Sequence, residues 1–456
     1  MKVTELYIQE YNQFKDFRLD LTYPEGHPKA GQALEKVCFI GQSGTGKTSL
    51  IEILKETLLV IANQSFISYS ILEDVTIPAT TSFENSRIDI TNHETHISFD
   101  NKLQVKFYGY EEENEAIDGE KSFFMTFIGL DYNMVNFLID EFKVLFYPSN
   151  IELLKAEKLS KDKNKTSINK NLLDFSKYDL QSSWSTINEA IIKDRELEIK
   201  KSLELSKLLQ NPNISQKEVF KARDEFLAWR ELSPNPIIDL ANNFLNKILN
   251  RFNLKVKTEL DFEKTEDIET IKIQTKQGKD IPFEGLSTGT KQVILTALPL
   301  YGLKPEKSII LFDEPERSLY PDIQAEIVNF YTSMAKDSQF FFATHSPLVA
   351  SSFEPWEIVE LKFNDEGYVY QELYYDKKKG RHVDNYTINP QYLTWTGILQ
   401  KVFDLDQEGN DLRNKQLVRI ATLESQLKHN HLSLEEKKVK FEEYKKLATL
   451  LNWELK

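Results

Sequence analysis

The residues best placed to do chemistry are Gly41-Gln42-Ser43-Gly44-Thr45-Gly46-Lys47-Thr48-Ser49. They satisfy the pattern G-x-x-x-x-G-K-[ST] of a phosphate-binding loop. The glycines let the backbone curl so that its N–H groups converge on one anion. Lys47 supplies a mobile positive charge for terminal phosphates, and Thr48 offers a hydroxyl to Mg²⁺. The flanks agree with this chemistry. Val37-Cys38-Phe39-Ile40 is a short apolar run, as a buried parallel strand would be. After the loop, Leu50, Ile51, Leu54, Leu58 and Ile61 recur at helical spacing, which predicts a helix whose N-terminus faces the phosphate.

Three further groups lie far along the chain. Leu286-Ser287-Thr288-Gly289-Thr290-Lys291-Gln292 precedes an apolar helical run (Val293, Ile294, Leu298). Ser308-Ile309-Ile310-Leu311-Phe312-Asp313-Glu314-Pro315 reads as a strand that ends in two carboxylates, with a helix from about Pro321. Gln339-Phe340-Phe341-Phe342-Ala343-Thr344-His345-Ser346-Pro347 reads as a strand that ends in a histidine. Taken singly, an Asp-Glu pair often just terminates a strand, and a lone histidine is often a satisfied core residue. Their common placement at strand ends, in this order, argues for a joint role. Asp313 would hold Mg²⁺ opposite Thr48. Glu314 would orient and polarise a water, and His345 would sense the terminal phosphate. Ser287 and the Gly289 backbone, at a helix N-terminus, can bind phosphate oxygens.

These motifs, in this order, resemble the ABC-type ATPases of the SMC and RecF superfamily. The likeness covers residues 1–110 and 254–375 in outline. Gly41 to Thr48 is similar to the Walker A motif, and Ser49 completes the nucleotide-binding run. Leu286 to Gln292 resembles the signature motif, with Thr288 in place of a glycine. Asp313-Glu314 resembles the Walker B end, Ser318-Leu319-Tyr320-Pro321-Asp322 the D-loop and His345 the switch histidine. The Q-loop glutamine has no clear counterpart; Asn150, just after the Tyr147 strand, is the stand-in considered. The resemblance implies ATP and Mg²⁺ as cofactors, with Lys47, Glu314 and His345 as the catalytic set and Thr48 and Asp313 on the metal. It also implies that Ser287, Thr288, Gly289 and Gln292 act in trans on the nucleotide of a second subunit, in a head-to-tail dimer or higher oligomer.

The expected fold class is α/β: a P-loop NTPase of ABC type with an antiparallel β subdomain, a helical hairpin insertion and C-terminal helices. Near the N-terminus, Val3, Leu6 and Ile8, then Phe17, Leu19 and Leu21, alternate as paired strands do, with Tyr23-Pro24-Glu25-Gly26 as the expected turn between them. Ile88 and Ile90, Ile97 and Phe99, and Leu103, Val105 and Phe107 mark three strands of an antiparallel subdomain. Residues 111–121 are an acidic loop, and Lys143-Val144-Leu145-Phe146-Tyr147 reads as a core strand. From 155 to 250 the pattern turns helical. Trp184, Ile187, Ile191, Leu205, Leu208 and Leu209 precede a break at Asn211-Pro212-Asn213, and Phe220, Phe226 and Trp229 return. Strands resume at Leu254-Val256-Leu260 and Ile271-Ile273, with a turn at Gln277-Gly278. Leu417, Ile420, Leu423 and Leu427, then Phe441, Tyr444, Leu447 and Leu451, mark two terminal amphipathic helices. The expected division is lobe I over 1–150, the insertion over 151–250, lobe II over 251–400 and a helical segment over 401–456.

Composition bounds the partners. A net charge of -14 over 456 residues argues against indiscriminate nucleic-acid or membrane binding. Lys155, Lys158, Lys161, Lys163, Lys165 and Lys170 form a local basic stretch that leaves DNA binding open. The single cysteine, Cys38, excludes an internal disulfide or a cysteine zinc site and fits a reducing cytoplasm. Met1 to Leu6 is no signal peptide, and no apolar run reaches membrane-spanning length. One cysteine and a short hairpin also separate the chain from zinc-hook repair ATPases. Asp404-Leu405-Asp406 matches part of a Toprim pattern, but the roughly fifty residues after it are too few for that domain. The arrangement is therefore similar to stand-alone ATPase subunits of prokaryotic anti-phage systems such as PARIS and Septu. That likeness implies a separate nuclease or toxin effector and a phage protein trigger. Two alternatives remain: a RecF-like repair or recombination ATPase, and a scaffold that nucleotide binding assembles with little turnover.

Overall fold

In the computed structural model, the described residues are 2–55, 58, 86–92, 95–100, 105–109, 143–149, 172–174, 196–197, 199–210, 213–232, 236–258, 272–372, 375–376, 381–382, 389–405, 409–428 and 433–453. Asn150, the acidic loop, the lysine-rich stretch, the Trp184 to Ile191 segment, Leu260 and Asp406 lie outside them. The chain divides into two compact units, Met1–Val383 and Asp384–Lys456.

The first unit is built on a 12-stranded sheet. Its strands are β1 (Lys2–Tyr11), β2 (Phe14–Asp20), β3 (Lys36–Gly41), β4 (Ser86–Asn92), β5 (Thr95–Asp100), β6 (Val105–Gly109), β7 (Val144–Tyr147) and β8 (Leu172–Asp174). Past a separate small sheet of β9 (Leu254–Val256), β10 (Ile273–Thr275) and β11 (Asp280–Ile281) come β12 (Ile309–Asp313), β13 (Gln339–Ala343), β14 (Ile358–Phe363) and β15 (Val369–Gln371). The order is β6-β5-β4-β1-β2-β15-β14-β3-β13-β12-β7-β8. From β14 through β8 every neighbouring pair is parallel. Pairing from β2 through β6 is antiparallel.

The parallel half is apolar on both faces, which is why its strands read as unbroken hydrophobic runs. On one face Val37, Phe39, Leu311 and Phe341 join Leu50, Ile51, Ile53 and Leu54 of helix α1 (residues 47–55) in the core. On the other, the Phe312 ring lies 5.0 Å from Tyr147, 5.0 Å from Phe342 and 4.8 Å from Tyr331. Every strand of this half ends on the same side, and that side carries the loops after β3, β12 and β13.

The antiparallel strands expected around Ile88 to Phe107 are present, but they continue the main sheet through β1. The turn between the first two strands is not Tyr23 to Gly26. It lies at Asn12 and Gln13, where Asn12 takes φ 50. Asparagine is among the few residues that adopt left-handed backbone cheaply, because its side chain can hydrogen-bond locally. Tyr23 to Gly26 instead opens an excursion that closes on itself through Tyr23 N–H to Gln32 O at 2.8 Å. Within the stretch expected to be helical, residues 172–174 form β8, because Leu172-Leu173 can satisfy the open edge of β7. Helix α2 (residues 199–209) and helix α3 (Gln216–Leu232) follow as a hairpin, with the Lys201 ammonium 5.1 Å from the Trp229 ring.

Helix α4 (Thr288–Leu303) precedes β12, and helix α5 (Pro321–Thr332) follows it. In the second unit, α6 (Asp411–Lys428) and α7 (Leu434–Leu451) pair through Ile420, Leu423, Tyr444, Ala448 and Leu451. Phe441, expected on the buried face, is 45% exposed; Ala448 is buried instead, since a small residue lets the two helices approach closely. No described helix is long and apolar enough to cross a membrane.

Candidate nucleotide site

The loop from Gly41 to Gly46 joins β3 to α1 and curls around its own lysine. Lys47 Nζ donates to Gly41 O at 2.9 Å and to Gln42 O at 3.0 Å. Burial pulls this ammonium down from 10.5 to about 8, against the opposing pull of Glu314 and Asp313. Gln42, Ser43, Gly44 and Thr48 are exposed, whereas Thr45 is buried with its hydroxyl on Gln42 O at 2.8 Å. Ser49 is half-buried in the first turn of α1. Gly46 takes φ 83, and a Cβ there would stand 2.4 Å from Gln13 Nε2 and 2.7 Å from the Phe14 ring. Only glycine fits, because the β1–β2 turn presses on the loop. Gln13 Nε2 also donates to Gly44 O at 3.1 Å.

Across the sheet, Asp313 closes β12 beside this loop. Its Oδ1 accepts from Thr48 Oγ1 at 3.0 Å. Burial raises its carboxyl to about 6, with Glu314 adding to the shift and the Thr48 hydroxyl opposing it. A buried carboxyl so raised, beside an exposed hydroxyl, suits a hard divalent cation, which would favour the ionised form. Thr48 and Asp313 are thus the residues that could hold Mg²⁺.

Glu314 follows in left-handed backbone, φ 46, with its N–H on Ala343 O at 2.8 Å. Such a conformation is costly for a residue with a Cβ and concentrates where geometry is functional. Glu314 Oε1 lies 3.7 Å from His345 Nε2. His345 titrates below its ordinary value, first because it is partly desolvated and second because Lys47 repels the imidazolium; Glu314 opposes both. The structure therefore brings together Lys47, Thr48, Asp313, Glu314 and His345 at the ends of three adjacent strands.

The Ser287 to Gln292 segment is organised around α4. Ser287 caps the helix, accepting from Thr290 N–H at 3.2 Å. Ser287 and Thr288 are exposed. Gly289 is buried, and a Cβ on it would stand 2.4 Å from Ser318 O. Gln292 is also buried and donates to Pro315 O at 3.5 Å. The outer half of this motif faces solvent, and the inner half is tied to the loop after β12 of its own chain.

Two residues with a place in this geometry escape a reading of motifs. Gln13 reaches the loop from the tip of the first hairpin, and nothing local in its sequence announces that. Glu316 stands two residues after Glu314, and a third carboxylate so close to a strand end is the signal that would have marked it. Its carboxyl accepts from Thr344 Oγ1 at 2.5 Å and from His345 N–H at 3.3 Å.

Strand, glycine loop, helix and the two strand-end carboxylates together define a P-loop ATPase-type domain. Residues 36–351, more than half of the chain, match the family described as "AAA domain, putative AbiEii toxin, Type IV TA system", and the chain belongs to that family. Among solved structures it is similar to an SMC head bound to the C-winged helix domain of ScpA, at 12% identity and TM-score 0.41, over 82% of this chain and 97% of that one. It is also similar to the SMC head domain from Thermotoga maritima, at 10% identity and TM-score 0.35, over 82% and 98%. A third is an Smc head with an extended coiled coil bound to the C-terminal domain of ScpA, derived from Pyrococcus furiosus, at 12% identity and TM-score 0.32, over 81% and 96%.

Proposed function

We propose that this chain binds and hydrolyses Mg·ATP, that two copies share their nucleotide sites head to tail, and that the assembly controls a separate nuclease or toxin in anti-phage defence. The observation that carries the ATPase reading is the meeting of Lys47, Thr48 and Asp313 with the Glu314–His345 pair. Gly41 to Ser49 would cradle the phosphates, and Thr48 and Asp313 would hold the metal. Magnesium, when bound, neutralises phosphate oxygens and aligns them for attack. Glu314 would accept a hydrogen bond from the attacking water, and His345, largely neutral, would donate to or accept from the terminal phosphate region. The exposed Ser287 and Thr288 at the N-terminus of α4 offer an anion-binding end to a second copy.

Glu314→Gln tests this reading. It should keep nucleotide affinity and lower phosphate release by at least about 10²-fold, because the amide keeps the shape but cannot take up charge. Unchanged release would remove Glu314 from the catalytic role.

The family's description names a toxin of a type IV pair, and this favours a second reading, in which the chain itself is the toxic half. Expression of the chain alone in a bacterial host separates the two. Growth arrest without any other component supports the toxin reading; arrest that needs a co-expressed neighbour supports control of a separate effector.

A further inference from the structure

Glu316 is 7% exposed, and its two oxygens have different fates. Oε1 accepts from Thr344 Oγ1 and from the His345 backbone. Oε2 is buried with no hydrogen-bond partner among the described residues. An unpartnered buried carboxyl oxygen is expensive.

The contacts of Glu316 continue outward. Thr344 Oγ1 accepts from Ser346 N–H at 2.9 Å. Ser346 Oγ donates to Gln324 Oε1 at 2.7 Å, and Gln324 Nε2 donates to Leu319 O at 2.9 Å. A continuous run of hydrogen bonds therefore begins at the loop after β12, crosses the segment that carries His345, and returns through α5 to Leu319. Leu319 adjoins Ser318, whose carbonyl lies against Gly289 of α4. Besides the peptide bonds from Thr344 and Ser346, the Glu316 carboxyl ties this run to His345 by accepting from its backbone N–H.

We infer that Glu316 is a positioning residue, whose Oε1 anchors Thr344 and the His345 backbone and so sets the imidazole against Glu314. The inference rests on the ATPase reading above for its catalytic consequence, but its geometric claim stands apart from turnover. Burial raises the Glu316 carboxyl to about 7, so near neutral pH much of it is uncharged and its anchoring does not depend on a full negative charge. The acceptor oxygen is the feature that matters.

The test uses the full chain. Glu316→Met fills the same space without an acceptor. It should lower kcat about 10- to 100-fold with KM changed less than about 3-fold, the size expected when a catalytic group moves by an ångström. Glu316→Gln restores the acceptor and should rescue kcat to within about 3-fold of wild type. A residue that acts through His345 has little to lose once the imidazole is gone, so in a His345→Ala background Glu316→Met should cost less than about 2-fold more. Equal kcat in Glu316→Met and wild type, an undiminished loss in the His345→Ala background, or a His345→Ala enzyme as fast as wild type would each overturn the inference. If Glu316→Met does not fold, Thr344→Val removes the neighbouring donor and should show the same pattern. Histidine-labelled protein gives a readout that needs no turnover, with the His345 signal assigned by its loss in His345→Gln. Freed from its anchor, the ring becomes better solvated, so its titration midpoint should rise toward the ordinary 6.5 in Glu316→Met and stay put in Glu316→Gln. An unmoved midpoint overturns the inference. Wild-type chain that shows no ATP binding or turnover, with the midpoint moving as expected, would instead sink the ATPase reading and leave the anchor standing.

Discussion

Replacing Lys47 by methionine should stabilise the nucleotide-free protein. Lys47 is 5% exposed, and its ammonium titrates at about 8 rather than 10.5. At 1.36 kcal/mol per pH unit, holding this charge costs the folded state about 3 kcal/mol. Methionine keeps much of the stem and removes the charge. It also leaves Gly41 O and Gln42 O without a donor, but Gln42 is exposed and its carbonyl can turn to water, so the offset is about 1–2 kcal/mol. The net gain is about 1–2 kcal/mol, or roughly 1–3 °C in the melting temperature of a unit this large. The folded pKa lies below the unfolded one, so the cost is fully present below pH 8 and fades as pH rises from 8 toward 10.5. Scanning calorimetry should therefore find Lys47→Met above wild type at pH 7, with the gap closed or reversed at pH 9.5, where the cost of the charge is about 2 kcal/mol smaller. Mg·ATP at about 100 times its Kd should add about 2.7 kcal/mol to wild type alone and invert the order. A variant that melts at or below wild type at pH 7 without nucleotide would refute the argument, as would a gap that does not change with pH. The lysine would then not be held at a cost for the sake of its ligand.

Other outcomes are equally open to measurement. Mixing Lys47→Ala with Ser287→Arg, each inactive alone, should restore roughly a quarter of wild-type turnover, since about half the dimers are mixed and each has one intact site. Mixed dimers confirmed by a tagged pull-down that bind ATP yet never close in cross-linking would contradict shared sites. Gly289→Ala places a methyl 2.4 Å from Ser318 O and 3.1 Å from Leu319 Cδ2, so the backbone must move. It should cost about 1–3 kcal/mol and depress turnover while nucleotide binding at Lys47 survives, which filter binding and phosphate release separate. Leu423, fully buried between α6 and α7, should cost about 2–5 kcal/mol as alanine and melt that hairpin early by circular dichroism. ATP binding by the Met1–Val383 unit should persist.

Much of the fold was legible because its signals are local. The apolar run before Gly41, the glycine spacing and the helical recurrence after Lys47 name strand, loop and helix within about twenty-five residues. The β12 and β13 runs announce parallel strands buried on both faces, and the period of Leu417 to Leu427 announces α6. The roles proposed for Lys47, Thr48, Asp313, Glu314 and His345 rest on residue type and position at an element's end. Locality also marks where the reading stopped. Thr48 and Asp313 are 265 residues apart in sequence, and they meet because β13 registers between β3 and β12. Hydrogen-bond register between distant strands belongs to the whole sheet, and no window of sequence contains it. The same holds for Gln13, brought to Gly44 by the β1–β2 turn, and for Glu316, which becomes an anchor only once β12 and β13 lie side by side. Phe441, expected on the buried face, is exposed while Ala448 is buried, because the spacing of a helix pair is set by the facing helix as well as by the helix's own pattern. Residue types thus determined which chemistry was possible, and the pairing of distant strands decided which residues share it, since only the closed sheet brings their side chains within reach.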